Sequence, residues 1–324
     1  MSLEQINLSE DRDSLCVLNY SGKDSDCLSK VNNGLKQDKA VLLKNISMNE
    51  AETLLGDVVS QLGLQDNLKM QSALASVHQH RESKGKYFMS VNKRSNNQFI
   101  PFHSEGTSKS QLQLAAMFCA ENSTNGGTSI IARVKQEDDI WQQLKEFSVK
   151  VKLGSKIPSP QAIEQAKVFL KVDLLRDRIK QDDEVLDHIP ECHLNNLKSL
   201  DIVGFKVLSK PKKSFSRILG EKVYSYWDSI GSYDFASARE YLSMLEKENL
   251  LKTVPDPTDL SNLDNAHNRR VWDSQLHYKD IFECKVTHKL SNNELLIFNN
   301  MTWAHSSTSW EHGSGNRAVY AAFA

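Results

Sequence analysis

The segment Phe102-His103-Ser104-Glu105-Gly106 constrains this chain more tightly than any other. His103 and Glu105 are separated by one residue, and on a strand positions i and i+2 project to the same face. The flanks favour a strand. Asn97 to Phe102 runs through Phe99, Ile100 and Pro101, with turn formers before it and Gly106 after. An imidazole and a carboxylate on one short stretch of backbone supply two of the three ligands of a 2-His-1-carboxylate metal site. Taken alone, the pair is weak evidence, because a solvated histidine beside a glutamate gives the same pattern more often. The third ligand has to come from far along the chain.

Composition narrows the classes that remain. The 40 basic and 41 acidic residues leave a formal charge of −1, which creates no field to attract nucleic acid or an anionic membrane. No apolar run approaches the roughly 18 residues of a membrane span, and Met1 to Asp13 is polar and acidic, unlike a signal peptide. The five cysteines, Cys16, Cys27, Cys119, Cys192 and Cys284, are odd in number and widely spaced. They read as reduced thiols of a cytoplasmic protein, not as a disulfide frame or a zinc site. A chain of 324 residues with 39% hydrophobic content can bury a core in one large domain or two ordinary ones.

In chain order, Lys39 to Lys44 is a short apolar run of strand type. Ser47-Met48-Asn49-Glu50 then has the capping-box pattern. Ala51, Leu54, Leu55, Val58, Val59 and Leu62 follow at helical steps, and Gly63 stands at the stop. Residues 64–98 are polar and carry no clear period. Their His78-Gln79-His80 pair lacks a third ligand at a recognisable spacing and reads as exposed, as do Lys93 and Arg94. Leu112 to Cys119 and Thr128 to Ala132 read as strands joined by a tight Asn125-Gly126-Gly127 turn, hence as a hairpin curling around the ligand pair. From about 136 to 285 the pattern turns largely helical, around Ile140–Leu144, Pro160–Leu170 and Asp234–Leu245. No Gly/Ser-rich linker bounds this stretch, which reads as an insertion in a single domain spanning 1–324 and covering the site. Lys206, Lys210, Lys212, Lys213 and Arg217 form a basic cluster, by default a solvated loop and alternatively a dock for an acidic partner.

Strand signals return at Cys284. Glu294 to Asn300 leads through Met301-Thr302-Trp303-Ala304 to His305, and twelve residues later Arg317 opens a last strand. Alternation places Arg317, Val319, Ala321 and Phe323 on one face. An arginine at the head of an apolar face is costly without an anionic partner.

H-x-E, then Gly126-Gly127 followed by Thr128 and Ser129, then a distal His305 after an apolar strand ending in Asn, then Arg317: in this order and spacing the set resembles the Fe(II)/2-oxoglutarate-dependent dioxygenases of the taurine dioxygenase and clavaminate synthase-like superfamily. The resemblance covers most of the chain and is poorest in its middle. It implies a mainly β fold with α elements: a double-stranded β-helix (jelly roll, cupin-like) core with flanking helices and the helical insertion. It implies His103, Glu105 and His305 as iron ligands, and Arg317 holding the distal carboxylate of 2-oxoglutarate with Ser129, or the adjacent Thr128. It further implies O2 as co-substrate and release of succinate and CO2. Glu in place of the more common Asp points to the clavaminate-synthase-like side of the superfamily. Asn299 stands where Asp is common. A second arginine, four positions after the first in taurine-type members, is here Ala321. The expected reaction is hydroxylation or desaturation of an unactivated C–H in a small metabolite, an amino acid or natural-product intermediate, free or carrier-tethered. With Glu105 present, no ligand position is left open for chloride. The rival readings are a non-redox metal-dependent enzyme on the same barrel and a catalytically silent binding protein.

Overall fold

The helix Met48–Leu62 follows from its sequence residue by residue. Ser47 accepts from the Glu50 backbone N–H, and the Glu50 carboxylate accepts from the Ser47 N–H at 2.9 Å, closing the capping box. Gly63 ends the helix in the left-handed region at φ 66°, which costs glycine nothing. Leu54, Leu55, Val58 and Val59 form its buried stripe.

The computed structural model describes residues 8–22, 26–77, 81–91, 100–106, 112–144, 146–153, 159–166, 173–188, 202–226, 235–252 and 276–324. Its elements are β1 (Leu15–Asn19), α1 (Cys27–Lys36), β2 (Ala40–Lys44), α2 (Met48–Leu62), α3 (Gln65–Val77), β3 (Met89–Ser90), β4 (Ile100–His103), β5 (Leu114–Asn122) and β6 (Ser129–Val134). There follow α4 (Asp138–Gln143), β7 (Glu146–Leu153), α5 (Pro160–Gln165), β8 (Glu184–His188), β9 (Ile202–Ser209), β10 (Ser214–Ser216), β11 (Glu221–Val223) and α6 (Phe235–Lys247). The chain closes with α7 (Tyr278–Ile281), β12 (Phe282–His288), β13 (Glu294–Asn299), β14 (Trp303–Ser307) and β15 (Arg317–Phe323). They divide into two compact units: Met1–Gln136 with Lys213–Asn268 and Leu276–Ala324, and Glu137–Lys212 with Arg269–Gln275.

The first unit is built on a six-stranded sheet in the order β1-β2-β13-β5-β15-β3 and a four-stranded sheet in the order β12-β6-β14-β4. Strand alternation gives the large sheet two apolar faces. On one, Val41, Leu43, Ala116, Phe118, Leu295 and Ile297 pack with Val31 and Leu35 of α1 and Leu55 and Val59 of α2. On the other, Leu42, Ala115, Met117, Leu296, Phe298, Ala321 and Phe323 meet Ile131, Val286 and Trp303 of the small sheet. Both sides are fully buried along β13, which explains why Glu294 to Asn299 reads as a continuous apolar run. Each large apolar side chain so buried contributes roughly 1.5–3 kcal/mol. A mixed architecture of sheets with flanking helices is therefore what the chain adopts.

Two expectations need correction. Leu112–Cys119 and Thr128–Ala132 do form strands, but not a hairpin: β5 pairs with β13 and β15, whereas β6 pairs with β12 and β14 in the other sheet. The Gly126-Gly127 turn carries the chain from one sheet to the other. Gly126, at φ 108°, bridges to Trp310, and a Cβ there would meet the Ser309 carbonyl oxygen at 2.4 Å. Nor are the described residues of the stretch from about 136 to 285 largely helical. Short helices appear at α4 and α5, and α6 is longer, but the second unit carries a three-stranded antiparallel sheet, β7-β9-β8. Val149, Val151 and Leu153 alternate with Lys150 and Lys152 there, a period-2 pattern that belongs to a strand. In this unit Lys150 Nζ donates to both Asp183 oxygens at 2.6 and 2.8 Å. His78, His80, Lys93 and Arg94 lie outside the described residues, as does Cys192. Among the described residues no helix is long and apolar enough to cross a membrane.

Candidate metal centre

His103 ends β4 and His305 lies in the middle of β14, and the two are direct partners in an antiparallel register. Paired residues share a face, so imidazoles some two hundred positions apart in sequence meet with ring centroids 4.1 Å apart. Glu105 follows two residues after His103 and brings Oε1 to 3.7 Å from His103 Nε2 and 4.0 Å from His305 Nε2. One ligand atom from each of the three residues lies within 4.8 Å of the others.

Three supports hold this arrangement. Asn300, fully buried in the turn after β13, donates through Nδ2 to the carbonyl oxygens of Glu105 and Leu112 at 2.9 and 2.8 Å, and its Oδ1 accepts from the Glu105 N–H at 3.0 Å. A single amide thus fixes the backbone on both sides of the carboxylate. Phe102 anchors the preceding position edge-on against Tyr241 and Tyr278, at 5.4 and 5.2 Å between centroids. Tyr241 donates to Ser306 Oγ at 3.0 Å, and Ser306 donates to the Ile130 carbonyl at 3.1 Å, which fixes the residue after His305. Phe298 lies 5.6 Å from the His305 ring.

The electrostatics suit a cation. Burial pushes the Glu105 carboxyl up, but the His103 imidazole, the Arg81 guanidinium and the His305 ring outweigh it and hold the group well below the usual carboxylate range. Burial and the neighbouring His103 keep His305 neutral, far below an ordinary histidine. An ionised carboxylate and a neutral imidazole are the forms that ligate metal. His305 Nδ1 is buried without a hydrogen-bond partner, so the ring has polar capacity that the described residues do not use. The donor set fits a divalent transition metal with open coordination positions.

Arg317 stands at the head of β15 on the same side. Its Nη2 donates to Ser307 Oγ at 3.3 Å, its Nε to the Gly127 carbonyl at 3.5 Å, and its guanidinium lies over Trp310 at 5.4 Å. Ser307 is two residues beyond His305 on β14, and so on the same face. Desolvation lowers the Arg317 pKa to about 10, and among the described residues no carboxylate pairs with it. Ser129 is the register partner of Ser307, as Ile131 is of His305, so the Ser129 side chain shares the face that carries Ser307 and the Arg317 contact. Thr128 is tied instead to Thr308, its N–H donating to Thr308 Oγ1 at 2.9 Å.

Sequence reasoning missed two residues here. Asn300 was visible only as the end of an apolar strand. Arg81, whose Nη2 lies 3.2 and 3.4 Å from the two Glu105 oxygens, sits in a polar segment with no period and gave no signal.

No protein-family model matches this chain, and no curated protein does. Among solved structures, a crystal structure of AAD-2 in complex with Mn(II) and N-oxalylglycine overlaps at TM-score 0.38 and 10% identity, covering 98% of this chain and 96% of that one. A putative alpha-ketoglutarate dependent 2,4-D dioxygenase from Burkholderia xenovorans gives the same values. A putative alpha-ketoglutarate-dependent taurine dioxygenase from that organism matches at TM-score 0.38 and 9% identity, covering 98% of this chain and 91% of that one. Overlaps of this quality leave the chemistry to be read from the residues themselves.

Proposed function

We propose that this chain is an Fe(II)- and 2-oxoglutarate-dependent dioxygenase on a double-stranded β-helix core. It hydroxylates, or desaturates, an unactivated C–H of an amino-acid-like metabolite. The observation that carries the reading is the register pairing of His103 with His305, which gathers two imidazoles and the Glu105 carboxylate around one point. His103, Glu105 and His305 would hold the iron. Bound iron and 2-oxoglutarate would supply the oxidising power, using O2 and releasing succinate and CO2. Arg317 supports the same reading from the other end. A part-buried guanidinium with neutral hydrogen-bond partners is matched to a carboxylate brought by a ligand, which it can grip with two parallel N–H bonds. Ser129, across the ladder from Ser307, is the hydroxyl we assign beside that carboxylate, in preference to Thr128. The rival in which Arg317 pairs a structural carboxylate has no such carboxylate among the described residues.

Among the described residues the cysteines Cys16, Cys27, Cys119 and Cys284 are free, which fits a reducing compartment, and we place the enzyme in the cytoplasm. We assign it no nucleic-acid or membrane partner. Anaerobic addition of Fe(II) and then 2-oxoglutarate tests the class: a visible charge-transfer band should appear with wild type and vanish with His305→Ala. No band with intact, folded protein would sink the reading and favour a non-redox enzyme or a silent binding protein.

A further inference from the structure

We infer that Trp310 is a positioning residue for the co-substrate: its indole holds the Arg317 guanidinium in one orientation and shields a face of it from water. The role rests on the function proposed above and falls to a residue outside the motif.

Backbone pairing carries Trp310 to this point. Beyond the end of β14 the chain runs against the Asn125-Gly126-Gly127 turn. The Gly127 N–H donates to the Ser309 carbonyl at 3.1 Å, the Glu311 N–H donates to the Asn125 carbonyl at 2.9 Å, and Gly126 bridges to Trp310 between them. The half-buried indole is thereby set against the guanidinium, with Arg317 Cζ 5.4 Å from the ring centroid. That lies inside the range at which a cation is attracted to an aromatic face. From the turn itself, a Cβ at Gly127 would come within 3.0 Å of Arg317 Cδ and 3.2 Å of Nε. The same turn therefore closes on the stem of Arg317 and fixes the segment that bears the ring.

The hydrogen bonds of Arg317 do not fix its plane by themselves. At 3.5 Å from Nε to the Gly127 carbonyl and 3.3 Å from Nη2 to Ser307 Oγ, both are longer than a strong N–H···O bond, and a long arginine stem has many rotamers. An aromatic face against the guanidinium takes away its freedom to tilt and displaces water from that side. Both effects favour a bidentate pair with a carboxylate, which needs a fixed plane and strengthens where water is excluded. Trp310 thus acts through Arg317, on the end of the co-substrate away from the metal.

The test measures binding, not turnover. Wild type, Trp310→Leu and Trp310→Phe are loaded with Mn(II) and titrated calorimetrically with 2-oxoglutarate and with oxalate, which can chelate the same metal but has no distal carboxylate. Trp310→Leu should bind 2-oxoglutarate about fivefold or more weakly, while its affinities for Mn(II) and oxalate stay within about twofold of wild type. Trp310→Phe keeps a ring and should hold 2-oxoglutarate better than Trp310→Leu does. Where the leucine variant does not fold, Trp310→Gln gives the same comparison. A 2-oxoglutarate affinity that falls less than about threefold without the ring would overturn the inference. Equal losses for 2-oxoglutarate and oxalate, or a loss of Mn(II) binding, would make Trp310 a support of the fold and end the positioning role. A wild type that takes up no Mn(II), or takes Mn(II) but no 2-oxoglutarate, would remove the function proposed above and this inference with it.

Discussion

Replacing Arg317 with methionine should make the ligand-free protein more stable while removing its response to 2-oxoglutarate. In the fold, desolvation lowers the Arg317 pKa from 12.5 to about 10. At 1.36 kcal/mol per unit, that is a penalty of about 3 kcal/mol for keeping the charge in place, or about 2 kcal/mol after allowance for the solvent that still reaches a part-buried side chain. Against this stand two long hydrogen bonds, 3.3 Å to Ser307 and 3.5 Å to the Gly127 carbonyl, and the stack on Trp310, together worth about 1 kcal/mol. Methionine retains the apolar stem. The net expectation is a gain of about 1 kcal/mol, or a degree or two in melting temperature for a chain of this size.

The ligand reverses the order. With Mn(II) present and 2-oxoglutarate at about a hundred times its dissociation constant, wild type should gain roughly 2.7 kcal/mol by mass action, and Arg317→Met should gain nothing measurable. Thermal or urea unfolding of both proteins with and without 2-oxoglutarate gives the four values. A variant less stable than wild type by 1 kcal/mol or more without ligand would make the guanidinium structural. A variant that 2-oxoglutarate stabilises as much as wild type would show that Arg317 does not hold the co-substrate.

Asn300→Ala removes the two hydrogen bonds that pin the Glu105 backbone and a third to the Leu112 carbonyl; it should cost about 2–3 kcal/mol and weaken Mn(II) binding at least tenfold by calorimetry. Ser129→Ala should raise the dissociation constant for 2-oxoglutarate about fivefold, the loss of one hydrogen bond to a charged group, whereas Thr128→Val should change it less than twofold; the reverse order would move the assignment to Thr128. Gly126→Ala places a methyl 2.4 Å from the Ser309 carbonyl oxygen at φ 108° and should lower stability by 2 kcal/mol or more in urea unfolding. Burial raises the Asp38 pKa to about 6, against a hydrogen bond from Thr302. A carboxyl raised in the fold opposes folding once the unfolded chain ionises, so stability should fall by about 1–3 kcal/mol as pH rises from 4 to 7. Asp38→Asn should flatten that part of the curve, and an unchanged slope would refute the assignment.

How much of this was legible depends on the range of each interaction. The capping box from Ser47 to Glu50 and the stop at Gly63 are contained in a few neighbouring residues and specify α2 to its end. By contrast α1 gives no signal in the sequence, because Asn32, Asn33 and Gly34 are poor helix formers. What stabilises that helix is tertiary: Val31 and Leu35 are buried, and Gly34 lies so close to the sheet that a Cβ would meet Val41 Cγ2 at 2.8 Å. The same limit explains the misread hairpin. The Asn125-Gly126-Gly127 turn was correctly located, but whether a turn returns the chain to the same sheet or sends it to the facing one is set by β12 to β15, all of them more than 150 residues further on.

For the site, the division falls between residues that bind and residues that place. His103 and Glu105 betray themselves by a spacing that only a strand can use, and His305 and Arg317 by their distance along a shared strand order. These are one-dimensional features, and the register of β4 on β14 turns them into a cluster. Asn300 and Arg81 carry no such spacing, since each acts on Glu105 from an unrelated segment, 195 and 24 residues away. The spacing of the four motif residues is therefore legible along the chain, whereas the side chains that hold Glu105 in place are brought to it only by the fold.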